Sequence, residues 1–190
     1  MVMHKINFEK AKLIHKSVMF SWLKKPYIQE FWDNTQEHKD DIINFMNGRS
    51  QPSNYCNGEY IYWIASINSI PFGMIMSIQE TGEENIGDLK LYHLSKTGHT
   101  YSLDYLIGNN EYLGKGYGSR TLVEFIKFFT SNVDKKAHTF FIDPDANNLR
   151  AIQAYEKAGF SYVGDFIMGE GYSGSSKKHY LFTKKVSNKL

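Results

Sequence analysis

Leu113-Gly114-Lys115-Gly116-Tyr117-Gly118-Ser119 decides how this chain is read. It lies between a run of strand character over 100–107 and a helical stripe in which Leu122, Phe125, Ile126 and Phe129 recur at i, i+3, i+4 and i+7. Glycine at alternate positions lets the backbone turn tightly and uncovers several N–H groups with no Cβ in the way. At a helix N-terminus those amides and the helix dipole favour an anion, and Lys115 adds positive charge. A pyrophosphate fits such a nest. The spacing is not that of a P-loop, which closes on Gly-Lys-Ser/Thr, nor of a dinucleotide fingerprint with its parallel βαβ opening. Three glycines alone fit an unliganded strand-to-helix turn equally well.

Downstream of the turn, strands are expected over 137–142, 161–168 and 180–186, with a helix over 148–158 ended by Gly159. Upstream, 60–67 and 71–79 are rich in β-branched and aromatic residues and flank Asn68-Ser69, which reads as a hairpin. Before them the pattern is helical. Leu13, Ile14, Met19, Phe20 and Leu23 keep helical spacing until Pro26 interrupts. A second helix is expected over 35–46, with Thr35 as N-cap, His38 where a capping box usually holds glutamate, and Gly48 as the stop. Gln51, Pro52, Ser53 and Asn54 open a loop that runs to Gly58. This order gives an α+β fold, a mixed and mostly antiparallel sheet flanked by helices, as a single domain over 1–190.

The composition narrows the function classes. Of 190 residues, 42% are hydrophobic and 22% charged, with 22 basic against 20 acidic side chains. That balance, without a long basic run, argues against a nucleic-acid footprint, and no apolar stretch reaches the length of a membrane span. Lys177, Lys178, Lys184 and Lys185 are expected on a solvated face. One cysteine, Cys56, permits no internal disulfide and suits a reducing, cytoplasmic setting. Its loop neighbours offer nothing to activate a nucleophilic thiol. The histidines are scattered, and His93 and His99 lack the spacing and partners of a zinc site, so no metal is expected.

A second segment, Asp143-Pro144-Asp145-Ala146-Asn147-Asn148-Leu149-Arg150-Ala151-Ile152-Gln153-Ala154-Tyr155-Glu156-Lys157-Ala158-Gly159-Phe160, settles what three glycines leave open. Taken with the glycine turn, it resembles the GCN5-related N-acetyltransferase superfamily. That resemblance implies a sheet split to admit acetyl-CoA, with the pyrophosphate on the turn and the thioester beside the Asn-x-x-Ala-x-x-x-Tyr helix. The cofactor-binding residues it implies are Leu106, Ile107, Leu113, Gly114, Lys115, Gly116, Tyr117, Gly118, Ser119, Asn148, Ala151, Tyr155 and Lys157. Ser102 to Gly108, Leu113 to Gly118, Asp143-Pro144 and Asn148 to Ile152 are further similar to aminoglycoside 6′-N-acetyltransferases, as are Trp22-Leu23 and Phe31-Trp32. The likeness covers roughly 8–160 and is poor over 80–99 and after 160. Where the wider superfamily usually has Arg or Gln, this chain has Leu113, a mark of the aminoglycoside branch.

The chemistry then assigns roles. Acyl transfer to an amine needs a base for the ammonium proton, donors for the oxyanion and a proton for the departing thiolate. Asp104 is the candidate base: aspartate is rare within strands, and alternation puts Ser102, Asp104 and Leu106 on one face. The alternative is a strand carboxylate facing solvent. Tyr155 is the candidate acid, acting by hydrogen bonding as charge develops, or else a core aromatic beside Ile152. The superfamily places the oxyanion on a backbone N–H near Ile107. With no nucleophilic Ser or Cys constellation, direct transfer in a ternary complex is expected. Candidate acceptor contacts are Trp32, Glu80, Asp104 and Asp143, with Glu83, Glu84, Asp88 and Asp145 nearby in sequence. The acidic run over 80–88 reads better as a solvated turn, and Trp32 reads as a sugar platform or as core. The resemblance implies a small cationic amine as substrate for a monomer or homodimer. A siderophore-precursor acetyltransferase, whose branch tends to place His where Asp104 stands, and a non-catalytic coenzyme A sensor are the alternatives.

Overall fold

A strand that its own sequence does not announce comes first. β1 (Asn7–Lys10) pairs antiparallel with β2 (Ile61–Ile67), Asn7 opposite Ser66 and Lys10 opposite Trp63. The computed structural model describes residues 4–51, 53–82, 87–168 and 177–186, so that Pro52, Glu83 and Glu84 lie outside the described residues. The chain divides into two compact units, Met1–Ser77 with Tyr105–Leu113, and Ile78–Asp104 with Gly114–Leu190.

In unit one, a 3-10 turn at Leu13–His15 leads into α1 (Lys16–Leu23), followed by α2 (Pro26–Gln29) and α3 (Gln36–Met46). Pro26 does more than interrupt: it opens α2 at the first helical position, where its missing N–H costs nothing. Thr35 caps α3 as expected, its hydroxyl accepting from the His38 amide at 3.3 Å, and Gly48 ends it with φ 78°. β2 and β3 (Ile70–Glu80) form the expected hairpin, with Asn68 and Ser69 both at positive φ (49° and 65°), the conformation a two-residue type I′ turn demands. Met19, Trp22, Leu23, Ile28, Ile42, Tyr62, Ile64, Met74 and Leu106 make the core. Leu13 and Ile14 are left 54% and 83% exposed, so the apolar spacing read there extends past the buried face. Gly108 lies under the Trp22 indole, where a Cβ would come within 2.0 Å of Cδ2.

Unit two alternates strand and helix. β4 (His99–Ile107) is joined through α5 (Tyr117–Asn132) to the parallel β5 (Ala137–Ile142). From there α6 (Leu149–Lys157) leads to β6 (Ser161–Met168), which pairs antiparallel with β7 (Lys177–Lys185), and β7 pairs antiparallel with β5. The expected stripe of α5 is buried throughout, Phe129 meeting Phe125 on its own helix and Tyr101 and Phe140 on the strands. A short helix absent from the sequence pattern, α4 (Asp88–His93), precedes β4. Its Leu89 lies where a Cβ on Gly164 would meet it at 3.0 Å, and Leu91 lies 3.3 Å from the Cβ position of Gly82.

The strands hydrogen-bond in the order β1-β2-β3-β4-β5-β7-β6, a mixed sheet with helices against it. The parallel register of β4 on β5 ends at Ser102 opposite Phe141, while β4 runs on to Ile107.

The C-terminal lysines are not simply solvated. Lys177 lies 3.5 Å from Asp145, and Lys178 pairs with Asp165. Lys184 donates to the Ala158 carbonyl at the end of α6, satisfying a helix-terminal acceptor. Burial lowers the Lys184 pKa, with Lys127 adding to the effect.

Candidate active site

The three glycines of the turn do two different jobs. Gly114 and Gly116 sit at φ 70° and 80°, in the left-handed region, with open space where a Cβ would stand. Their freedom is used for backbone shape. Gly118 has an ordinary φ, and a Cβ there would meet the Ala154 Cβ at 3.3 Å, so its smallness seats α5 against α6. Gly116 is the N-cap of α5, and a helix leaves its first amides without an intrahelical acceptor. Lys115 is exposed on the turn, and Ser119 donates to the Gly116 carbonyl at 3.2 Å. An open cradle of left-handed glycines at the amino end of a 16-residue helix fits a pyrophosphate.

On α6, Asn148 is the N-cap, its side-chain oxygen accepting from the Ala151 amide at 3.2 Å. Two expected cofactor residues are therefore tied to each other. Tyr155 is 7% exposed, its ring 6.4 Å from Phe160 and 6.5 Å from Phe182. The aromatic body belongs to the core of unit two. Lys157 is exposed in the last turn of the helix.

The acidic side chains converge more closely than their spacing suggests. Glu80 at the end of β3 and Asp143 after β5 share one ammonium, that of Lys90 on α4, and the charge of Asp104 on β4 acts on it as well. Lys90 Nζ lies 3.3 Å from Asp143 Oδ2 and 3.6 Å from Glu80 Oε1. Ser102 donates a short hydrogen bond to Glu80 Oε1. The Glu80 and Asp143 side chains are each only 9% exposed, which corrects the reading of position 80 as part of a solvated turn. Burial alone would lower the Lys90 pKa; the charges of Asp143 and Glu80, with Asp104 adding, outweigh this and hold it above the ordinary lysine value. Nothing in the sequence singles out Lys90, one of many lysines, on an unannounced helix. Asp145, also buried, accepts from the Asn147 amide at 2.8 Å and faces Lys177.

In unit one, Leu106 is buried in the core and the β4 end is held from α2 and the residue before it. The Tyr27 hydroxyl donates to the carbonyls of Ile107 and Gly108, both at 3.0 Å, and Lys25 Nζ donates to Gly108 at 2.7 Å. Lys25 and Tyr27 are positioning contacts that no motif marks. Leu113 is extended, its amide donating to the Asn110 carbonyl at 3.1 Å. Trp32 stacks on His38 with centroids 6.3 Å apart.

Strand, glycine turn, helix and strand in this order fit a domain that binds a pyrophosphate-bearing cofactor. A family model described as an acetyltransferase (GNAT) domain matches residues 13–168, and the chain belongs to that family. It is 27% identical over 174 residues to an aminoglycoside N(6′)-acetyltransferase type 1 of Klebsiella pneumoniae, covering 90% of this chain and 83% of that one. The fold matches an aminoglycoside N(6′)-acetyltransferase of Legionella pneumophila at a TM-score of 0.72 and 24% identity, over 96% of this chain and 93% of that one. It also matches, at 0.72 and 21%, a solved aminoglycoside acetyltransferase in complex with coenzyme A and kanamycin, over 95% of each chain. The protein is thus an acetyltransferase that takes its acetyl group from acetyl-CoA. No helix among the described residues is long and apolar enough to cross a membrane.

Proposed function

We propose that the chain, acting over 1–190 as one N-acetyltransferase domain in the cytoplasm, acetylates the 6′-amine of an aminoglycoside by direct transfer in a ternary complex. The observation that carries the acceptor side is the pairing of Glu80 and Asp143 with a single ammonium that the charge of Asp104 also influences. Carboxylates gathered in a partly buried place favour a multiply cationic ligand over a neutral one. The names of the relatives above point the same way.

When bound, acetyl-CoA supplies an activated acyl group and a thiolate leaving group. The chain's own residues manage position and protons. Gly114, Gly116 and the amino end of α5 hold the pyrophosphate. Asp104 accepts the acceptor's ammonium proton, directly or through one water, because a protonated amine has no lone pair to attack with. The Tyr155 hydroxyl donates a hydrogen bond to the developing thiolate. Its ring is fixed by Phe160 and Phe182, so the hydroxyl is held without much loss of rotamer freedom on binding.

Acetyl-CoA with kanamycin should release free thiol, and the product should carry its new acetyl group on the 6′-nitrogen by NMR. A hydroxylysine-like acceptor should be turned over far more slowly. Thiol release with the siderophore precursor alone, or with no amine at all, would overturn the acceptor assignment.

A further inference from the structure

The acceptor cluster already holds a primary alkylammonium, and it is the chain's own. Lys90 Nζ is seated between Asp143 at 3.3 Å and Glu80 at 3.6 Å. The same functional group is what a protonated acceptor amine presents. The seat is built from both ends: Leu89 and Leu91 pack against the Gly164 and Gly82 positions, and Ser102 orients Glu80. The side chain of Lys90 is 16% exposed, so its charge is not spent on solvent.

Resting on the aminoglycoside reading above, we propose that Lys90 is a specificity-determining residue of the acceptor site, an internal counter-cation that fills the Glu80–Asp143 part of the cluster and limits how many ammonium groups an acceptor can anchor there. A tethered ammonium competes as an intramolecular ligand, with an effective concentration of about millimolar or more. An acceptor that brings one amine to the neighbourhood of Asp104 leaves Lys90 in its seat. An acceptor that brings several must displace it to gain the remaining carboxylates. Lys90 therefore penalises polycations relative to monoamines of similar shape.

The test compares binding of kanamycin, of spermine and of a 6-amino-6-deoxyhexose to the full-length wild type, Lys90→Met and Lys90→Arg, by calorimetry in the presence of coenzyme A. Lys90→Met should tighten both polycations by about tenfold or more, leave the hexosamine within about twofold, and steepen the salt dependence of polycation binding. Lys90→Arg, which keeps the cation, should keep the wild-type ratio. An unchanged polycation-to-hexosamine ratio in a folded Lys90→Met protein overturns the proposal. If Lys90→Met does not fold alone, kanamycin or spermine should restore its circular-dichroism signal while the hexosamine does not; rescue by none of them overturns it equally. These readouts need no turnover. A wild type that binds kanamycin but does not acetylate it loses the acceptor assignment while Lys90 is still decided, and a site that takes neither polycation in any variant loses both.

Discussion

Each unit of the molecule buries carboxylates, and the two groups are built on different plans. In unit one every carboxylate oxygen of Asp41 and Asp33 meets a partner close in the fold. Asp41 Oδ1 accepts from Arg49 at 2.6 Å and Oδ2 from the Tyr62 hydroxyl at 2.7 Å; Asp33 accepts from the Thr35 hydroxyl at 2.6 Å and the Tyr55 hydroxyl at 3.1 Å, and faces His38 at 3.2 Å. His38 itself is stacked on Tyr55, ring centroids 4.4 Å apart. In unit two, Glu80 and Asp143 are drawn from separate stretches of chain to the one ammonium of Lys90, and Asp104 adds its charge. Buried charge by itself does not mark a functional place. A closed network stabilises, whereas a surplus of one sign keeps an affinity for something outside the chain.

That contrast can be broken most directly at Asp104. If unit two does chemistry, Asp104→Asn lowers kcat by about 10²–10⁴-fold while the calorimetric affinity for coenzyme A stays put. A fully active variant removes the base from the mechanism. The counterpart in unit one is Asp41→Asn, which removes the charge opposite Arg49 and turns an NH2 donor toward either Arg49 or Tyr62. It should cost about 2–3 kcal/mol in urea denaturation, with turnover per folded molecule unchanged.

Acid titration probes the closed network more gently. Burial would raise the Asp33 pKa, but the hydrogen bond and charge of His38, with Thr35, hold it at about 2 against an ordinary 3.8. A depressed carboxyl contributes its stability in full above the ordinary value and loses it as pH falls toward the folded one. Unfolding free energy should therefore drop by about 2 kcal/mol between roughly pH 4 and pH 2, and Asp33→Asn should flatten that slope. The smallest effects separate the glycines. Gly116→Ala, forced into a left-handed backbone, should weaken coenzyme A binding by about 1 kcal/mol. Gly118→Ala should instead show as a stability change under about 1 kcal/mol with cofactor affinity kept.

Much of this was legible in the residues. The α5 stripe, the Thr35 cap, the Asn68-Ser69 turn and the Gly159 stop are local signals, and the backbone obeys them. The parts that were not legible depend on partners far along the chain. β1 is four residues long and owes its existence to the edge of β2. α4 has six residues and no side-chain cap, so neither periodicity nor punctuation declares it. Glu80 looked like part of a charged turn because only folding brings Lys90, Ser102 and Asp143 to it. The close packing of Gly118 on Ala154 was likewise invisible, because only the approach of α6 to α5 brings it about.

Gly108 beneath Trp22 makes a statement about order. With a Cβ 2.0 Å from the indole, no side chain can be introduced at 108 while the tryptophan remains, and the Gly108 carbonyl that Lys25 and Tyr27 hold would move with any adjustment. Trp22 must shrink before Gly108 can grow. A mutational path that takes the steps in reverse passes through a chain that has lost the anchorage of its β4 end, so the two positions can drift only as a pair and in one direction.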